Sequence, residues 1–297
     1  MEELFNKCNI CPRECNVNRN KGEIGYCGAS NKIKIGGYHL HMWEEPIITG
    51  KNGSGTIFFS YCNLRCIYCQ NYDISINNNG EEISIERFSD ICLLLQEMGA
   101  ENINLVTPSH YIPLIREGLI MAKRKGLIIP IVYNTSGYDK VNSLKLLDGL
   151  IDIYLPDFKY YDKELNKYSN VNNYFEITSE ALKEMYRQVG KPVIKKGIMK
   201  RGVIVRHLVL PSHIEDSKKV IKYLFDNYGN NIYLSIMNQY TPIRRCKYLE
   251  LNNRVSEEEY DEIIDYAYDL RVRKCFVQDK ESQEESFIPV FKGDSVI

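Results

Sequence analysis

The chain has 297 residues, with 38 lysines and arginines against 39 aspartates and glutamates and a formal charge of −1. That length can bury a sizeable core and is ordinary for a single α/β barrel. The near balance of charge offers no broad field for nucleic acid or an anionic membrane, and no apolar run approaches the roughly 18 residues of a membrane span. Met1 to Lys7 lacks the apolar core of a signal peptide, so a cytoplasmic protein is expected. Ten cysteines without a secretion signal argue for metal rather than disulfides.

The first cysteine group, Cys8, Cys11, Cys15 and Cys27, is spaced C-x2-C-x3-C-x11-C. Four thiolates make a closed set, suited to structural zinc or to an auxiliary iron–sulfur cluster. Spacing does not choose between them, and a mixed site or one completed by a histidine stays open. Residues 31–55 read as a connector. Lys32-Ile33-Lys34-Ile35 can form a short strand, broken by Gly36-Gly37. On a strand, His39 and His41 would share one face; surface or hydrogen-bonded roles are expected for them. Glu44 and Glu45 are expected to be solvated, and Gly50, Gly53 and Gly55 to give a flexible approach. The expected divisions are 1–50 for this cysteine-rich segment and connector, 51–280 for the barrel and 281–297 for an acidic tail.

Thr56-Ile57-Phe58-Phe59-Ser60 reads as the first barrel strand, and Cys62, Cys66 and Cys69 follow it directly as C-x3-C-x2-C. Loops at the carboxyl ends of parallel strands carry the chemistry of such folds. Three thiolates leave one metal position open, as a catalytic site needs. With Tyr68 in an aromatic slot, the stretch resembles the signature of radical S-adenosylmethionine (SAM) enzymes. The resemblance implies a [4Fe–4S] cluster on the three thiolates, its fourth iron chelated by the amine and carboxylate of SAM, with Tyr68 near SAM. It further implies reductive cleavage of SAM to methionine and a 5′-deoxyadenosyl radical that abstracts hydrogen from a substrate, with an electron donor such as flavodoxin or ferredoxin. One departure is Tyr61, where glycine commonly precedes the first cysteine.

From residue 56 apolar runs alternate with amphipathic segments, which predicts βα repeats. Strands are expected near 56–60, 102–107, 128–134, 150–156, 203–210 and 231–237. Helical stripes are expected at Phe88, Ile91, Leu95 and Met98 with Cys92 in the core, at Ile112, Ile115, Leu119 and Ala122, and at Val220, Ile221 and Leu224. Ser256 and Glu259 form a capping box before Tyr260, Ile263, Ile264 and Ala267. Another helix is expected near 176–189, and the charged run Lys195 to Gly202 is expected to be a solvated loop. Six parallel strands suggest an α/β partial (β/α)6 TIM-type barrel, open on one side, with the N-terminal cysteine-rich metal-binding segment beside it.

The expected strand ends carry polar residues. Val106-Thr107-Pro108-Ser109-His110 stands where many radical SAM enzymes have Gly-Gly-Glu, so Thr107, Ser109 or backbone carbonyls would have to hold the SAM amine. Tyr133-Asn134-Thr135-Ser136-Gly137 is similar to the Asp/Asn-Thr-x-Gly element of glycyl-radical-enzyme activases, and Asp157-Phe158-Lys159 to their Asp-x-Lys motif. Side chains two apart on an extended segment face the same way, so Asp157 and Lys159 can both reach inward. Arg206, in an apolar strand, must find an anion or water, and corresponds to an activase arginine. His207 then turns toward the helices. Asn238, Gln239 or Tyr240 stands where activases often place a histidine, and Gln239 is the candidate retained. From Cys8 to about Gln278 the chain looks like the pyruvate formate-lyase activating enzyme-like group, which implies a protein substrate, a glycine α-carbon of a partner. Modification of a peptide or small molecule, and a metal-stabilised binding or electron-transfer protein without SAM chemistry, are the alternatives.

Overall fold

A computed structural model describes residues 3–278, and the expected tail 281–297 lies outside the described residues. Ten strands form among them: β1 (Ile33–His41), β2 (Ser54–Phe59), β3 (Glu81–Ile83), β4 (Ile103–Val106), β5 (Ile131–Thr135), β6 (Ile153–Pro156), β7 (Val193–Lys195), β8 (Ile198–Leu208), β9 (Tyr233–Met237) and β10 (Cys275–Val277). They join one sheet in the order β10-β9-β8-β6-β5-β4-β2-β1-β3, with β7 added as a hairpin on β8. Pairings from β2 through β10 are parallel, while β1 and β3 extend the β2 edge antiparallel. The fold is thus α/β with a mostly parallel sheet. Hydrogen bonds do not close that sheet into a barrel, because β10 and β3 remain its two ends. Six parallel strands were expected and seven are present; β10 has three residues, too few for a periodic signal.

Alternation along the strands separates two faces. On β5, Ile131 and Tyr133 join the main core, whereas Val132 packs on the other side with Ile153, Leu155 and Ile204. The main core is filled by the helices Ile85–Glu97, Ile112–Arg124, Tyr174–Val189, Ile214–Tyr228 and Glu257–Asp269. Phe88, Ile91, Cys92 and Leu95 are buried, as are Ile112, Ile115, Leu119 and Ala122, so their 3.6-residue stripes face the sheet. Met98 departs from expectation and is exposed, since its helix ends at Glu97. The capping box of Ser256 and Glu259 is formed.

The opposite face is covered by the short helix Pro46–Thr49, whose Ile48 is fully buried among Val132, Ile153, Leu155, Met199 and Ile204. Asn102 donates to the Ile48 carbonyl at 2.8 Å and fixes this insertion. The residues before it are therefore carried inside, and the expectation that Glu44 and Glu45 are solvated is overturned: both are 8% exposed or less by side chain or residue. The run Lys195 to Gly202 is also not a loop. It pairs β7 with β8 through Lys196 and Gly197, both at positive φ, as a two-residue hairpin turn requires.

The N-terminal segment packs into the same core through Phe5, Cys8, Ile10 and Cys27. Arg19 is 2% exposed; it lies over the Phe5 ring at 4.4 Å and donates to the carbonyls of Ser30 (2.9 Å) and His110 (2.8 Å).

Candidate functional site

The loop after β2 begins with Tyr61 at φ +73° and includes Arg65 at φ +55°. Glycine favours this left-handed region, so Tyr61 holds a backbone conformation that is uncommon for a residue with a side chain. Its ring needs room, and Gly28 supplies it: a Cβ there would stand 3.0 Å from both the Tyr61 ring and the Arg65 guanidinium. Three further contacts tie the loop to the N-terminal segment. Arg13 donates to the Asn63 carbonyl (2.8 Å), Tyr26 to the Leu64 carbonyl (3.1 Å), and Arg65 to the Cys27 carbonyl (3.2 Å).

All three loop sulfurs have a hydrogen-bonding partner. The Leu64 amide donates to Cys62 Sγ at 3.4 Å, Ser169 Oγ lies 2.9 Å from Cys66 Sγ, and Ser75 Oγ lies 3.3 Å from Cys69 Sγ. Burial pushes the Cys66 thiol up to about 12 and the Cys69 thiol to about 11. As free thiols both stay protonated at neutral pH, and a bound metal cation is what deprotonates such groups outright. Donors already aimed at the sulfurs fit metal-bound thiolates.

Cys66, Tyr68 and Cys69 open onto a cavity of about 600 Å³, within the usual range for a small-molecule site. Asn134, Asp157, Lys159, Arg206 and Gln239 line it too. Lys159 Nζ lies 2.7 Å from Asp157 Oδ2, and Arg206 Nε lies 3.2 Å from Asp157 Oδ1. Arg206 also donates to Asn134 Oδ1 at 2.6 Å and pairs with Glu44 Oε2 at 3.3 Å. Burial alone would raise the Asp157 carboxyl, but Lys159 and Arg206 outweigh it and hold it below the ordinary value. His207 points away, its Nδ1 2.8 Å from the Phe158 carbonyl. Tyr68 bonds Tyr160 through their hydroxyls, and Tyr160 Oη is 3.0 Å from Ser169 Oγ. A chain of hydroxyls therefore joins the cavity wall to the Cys66 sulfur.

Thr107 is not among the residues that line this cavity. It sits at φ +60° with its amide on the Asn134 carbonyl at 2.8 Å, so it shapes the turn after β4. The sequence did not single out Asn104, which donates to Glu44 Oε1 at 2.9 Å. A lone asparagine inside an apolar strand run was the available signal. His39 and His41 share one face beside Phe58, and His41 reaches the cavity.

The four N-terminal cysteines border a second, very small cavity together. The Tyr26 amide donates to Cys15 Sγ at 3.3 Å and Arg19 reaches Cys8 Sγ at 3.9 Å. Burial raises the Cys11 thiol to about 12 and raises that of Cys27. Among the described residues no group of three or more His, Cys, Asp or Glu side chains is arranged to hold a metal ion.

The sequence profile of the Radical SAM superfamily matches residues 56–224. The uncharacterized protein MJ0674 of Methanocaldococcus jannaschii is 31% identical over 286 residues, covering 90% of this chain and 75% of that protein. A radical SAM methyltransferase from Sphaerobacter thermophilus superposes with a TM-score of 0.53 at 13% identity, over 76% of this chain and 66% of its own. Streptococcus suis SuiB, bound to the precursor peptide SuiA, gives 0.54 at 14% identity over 73% of this chain and 46% of its own. At such identities the two structures share the fold alone.

Proposed function

The chain belongs to the radical SAM superfamily, and on that premise we propose that it uses Cys62, Cys66 and Cys69 to hold a [4Fe–4S] cluster whose open iron takes SAM. When bound, the pair supplies a 5′-deoxyadenosyl radical, by one-electron cleavage of the sulfonium, for removal of a hydrogen atom from a substrate. The observation that carries this reading is that the three triplet sulfurs each have a hydrogen-bonding partner, and that Cys66 and Cys69 open onto one cavity with the Lys159–Asp157–Arg206 ion network. In this reading Lys159 would meet the SAM carboxylate, and Asp157 its amine or ribose. Asn134 and Gln239 offer amides from the carboxyl ends of β5 and β9, and Tyr68 gives an aromatic wall. Thr107 acts through the backbone of its turn. The activase resemblance points to a glycine α-carbon of a partner protein as the hydrogen donor, and to flavodoxin or ferredoxin as the source of the electron.

We assign a second metal group to Cys8, Cys11, Cys15 and Cys27. The four thiols border one small cavity, and the neighbouring triplet loop, tied to this segment through Arg13, Tyr26 and Arg65, makes an auxiliary iron–sulfur cluster the reading we favour over structural zinc. The test is protein purified without oxygen, analysed for iron, sulfide and zinc, then given dithionite and SAM and assayed for 5′-deoxyadenosine. About eight irons per chain and product formation, lost in Cys66→Ala, are expected. Product formation retained in Cys66→Ala would overturn the cluster assignment.

A further inference from the structure

The concave wall of the large cavity carries three acids, Glu44, Glu45 and Asp157, and two bases, Lys159 and Arg206. Asp157 is paired with both bases, and Glu44 is held by Arg206 and Asn104. Glu45 is the acid left over. It is 8% exposed and shares the cavity wall with Ser235. Its Oε2 accepts no hydrogen bond, and Arg206, which attracts it, makes its direct ion pairs with Asp157 and Glu44 instead. A buried carboxylate oxygen with no donor is costly, and evolved sites keep such a group for a ligand that supplies the donor.

The surroundings define that ligand. Arginine-type groups bind carboxylates through two oxygens at once, and here a single oxygen lacks a donor while shielded from bulk water, which suits the single-point contact of an ammonium. Along β9 and β8 the cavity-facing residues are Ser235 then Met237, and Arg206 then Leu208, because side chains two apart share a face. A group reaching Glu45 from the carboxyl ends of the strands therefore trails past Met237 and Leu208, both apolar. We propose that Glu45 is the acceptor for a primary ammonium on the substrate, carried on a short aliphatic stem. This rests on the reading of the cavity as a radical SAM site, and SAM itself also carries an ammonium, so the test separates the two sources.

Cluster-loaded protein saturated with SAM is titrated calorimetrically with n-hexylamine and, in parallel, n-hexanol. Wild-type protein is expected to prefer the amine by about tenfold or more, as a charge-assisted hydrogen bond in a buried setting gives. Glu45→Gln should erase the preference while SAM affinity changes by less than threefold, and Glu45→Asp, with the charge on a shorter arm, should keep part of it. The proposal is overturned by equal binding of amine and alcohol to wild type, or by a preference that survives in Glu45→Gln. A tenfold fall of SAM affinity in Glu45→Gln also overturns it, since the acid would then serve SAM. Wild-type protein that binds no SAM would refute the functional reading instead, and the amine preference measured without SAM then judges Glu45 alone.

Discussion

Cys66 Sγ lies 2.9 Å from Ser169 Oγ, and hydrogen bonds to ligand sulfurs are one of the levers that set an iron–sulfur potential. Ser169→Ala removes that donor and should shift the cluster potential to more negative values, read by a redox titration followed by electron paramagnetic resonance; an unmoved potential would show that the hydroxyl does not face a ligated sulfur. Asp157 is the counter-charge for both Lys159 and Arg206. Asp157→Asn takes from Lys159 its paired acid and leaves Arg206 with Glu44 as its remaining ion pair, and removing one member of a buried ionic set costs about 3 kcal/mol. The denaturant midpoint should fall accordingly, together with SAM affinity. Asp157, Lys159 and Arg206 were legible because two-residue spacing and an apolar strand context fix where such side chains point. Glu44 and Glu45 were not. Acids between glycines read as solvated, and what buries them is Ile48 packing onto β5, β6 and β8, a contact between distant parts of the chain that no local pattern encodes.

At the scale of elements, the turn after β5 governs how closely the strand ends approach. Gly137 has φ +79°, and a Cβ there would come 2.3 Å from the Asp157 carbonyl. Gly137→Ala must both strain the backbone, by about 1–2 kcal/mol, and push the Asp157 segment away. Lower stability and weakened SAM binding in one variant are expected, and calorimetry with thermal melting checks both; unchanged SAM binding would mean that the turn and the Asp157 strand end move independently. The long amphipathic helices and buried strands were readable from their periods, since one-sided burial imprints a 3.6-residue or continuous apolar pattern. The hairpin β7–β8 was hidden by its charge, Lys195-Lys196 standing at an exposed edge, where nothing demands apolar residues. β10 was hidden by its length, and its place is set by pairing with β9.

Over the whole molecule, two buried histidines join separate parts. His110 links β4 to the strand before the cysteine loop through the Ser60 carbonyl, and His207 links β8 to the end of β6. Burial pulls His110 down to about 3 and His207 to about 4. In the unfolded chain both titrate near 6.5, roughly the free imidazole value. Below that pH the unfolded chain binds protons that the folded one refuses, so stability is lost as pH falls from about 6.5 to 4, by about 1.4 kcal/mol per unit for each histidine. His207→Asn keeps a donor for the Phe158 carbonyl without titrating, and should flatten the acid limb of a stability profile by that amount per unit. An identical slope in the variant would place the proton uptake elsewhere. Finally, the insertion that carries Glu44 and Glu45 inward also sets Trp43, the single tryptophan of the sequence, on the cavity wall. Trp43 is 69% exposed while Glu44 and Glu45, which follow it, are carried inward, so one indole stands where water gives way to the interior. Its fluorescence is therefore a built-in optical gauge of the cavity, free of averaging over other tryptophans, and filling of the pocket should change its intensity and wavelength without any added label.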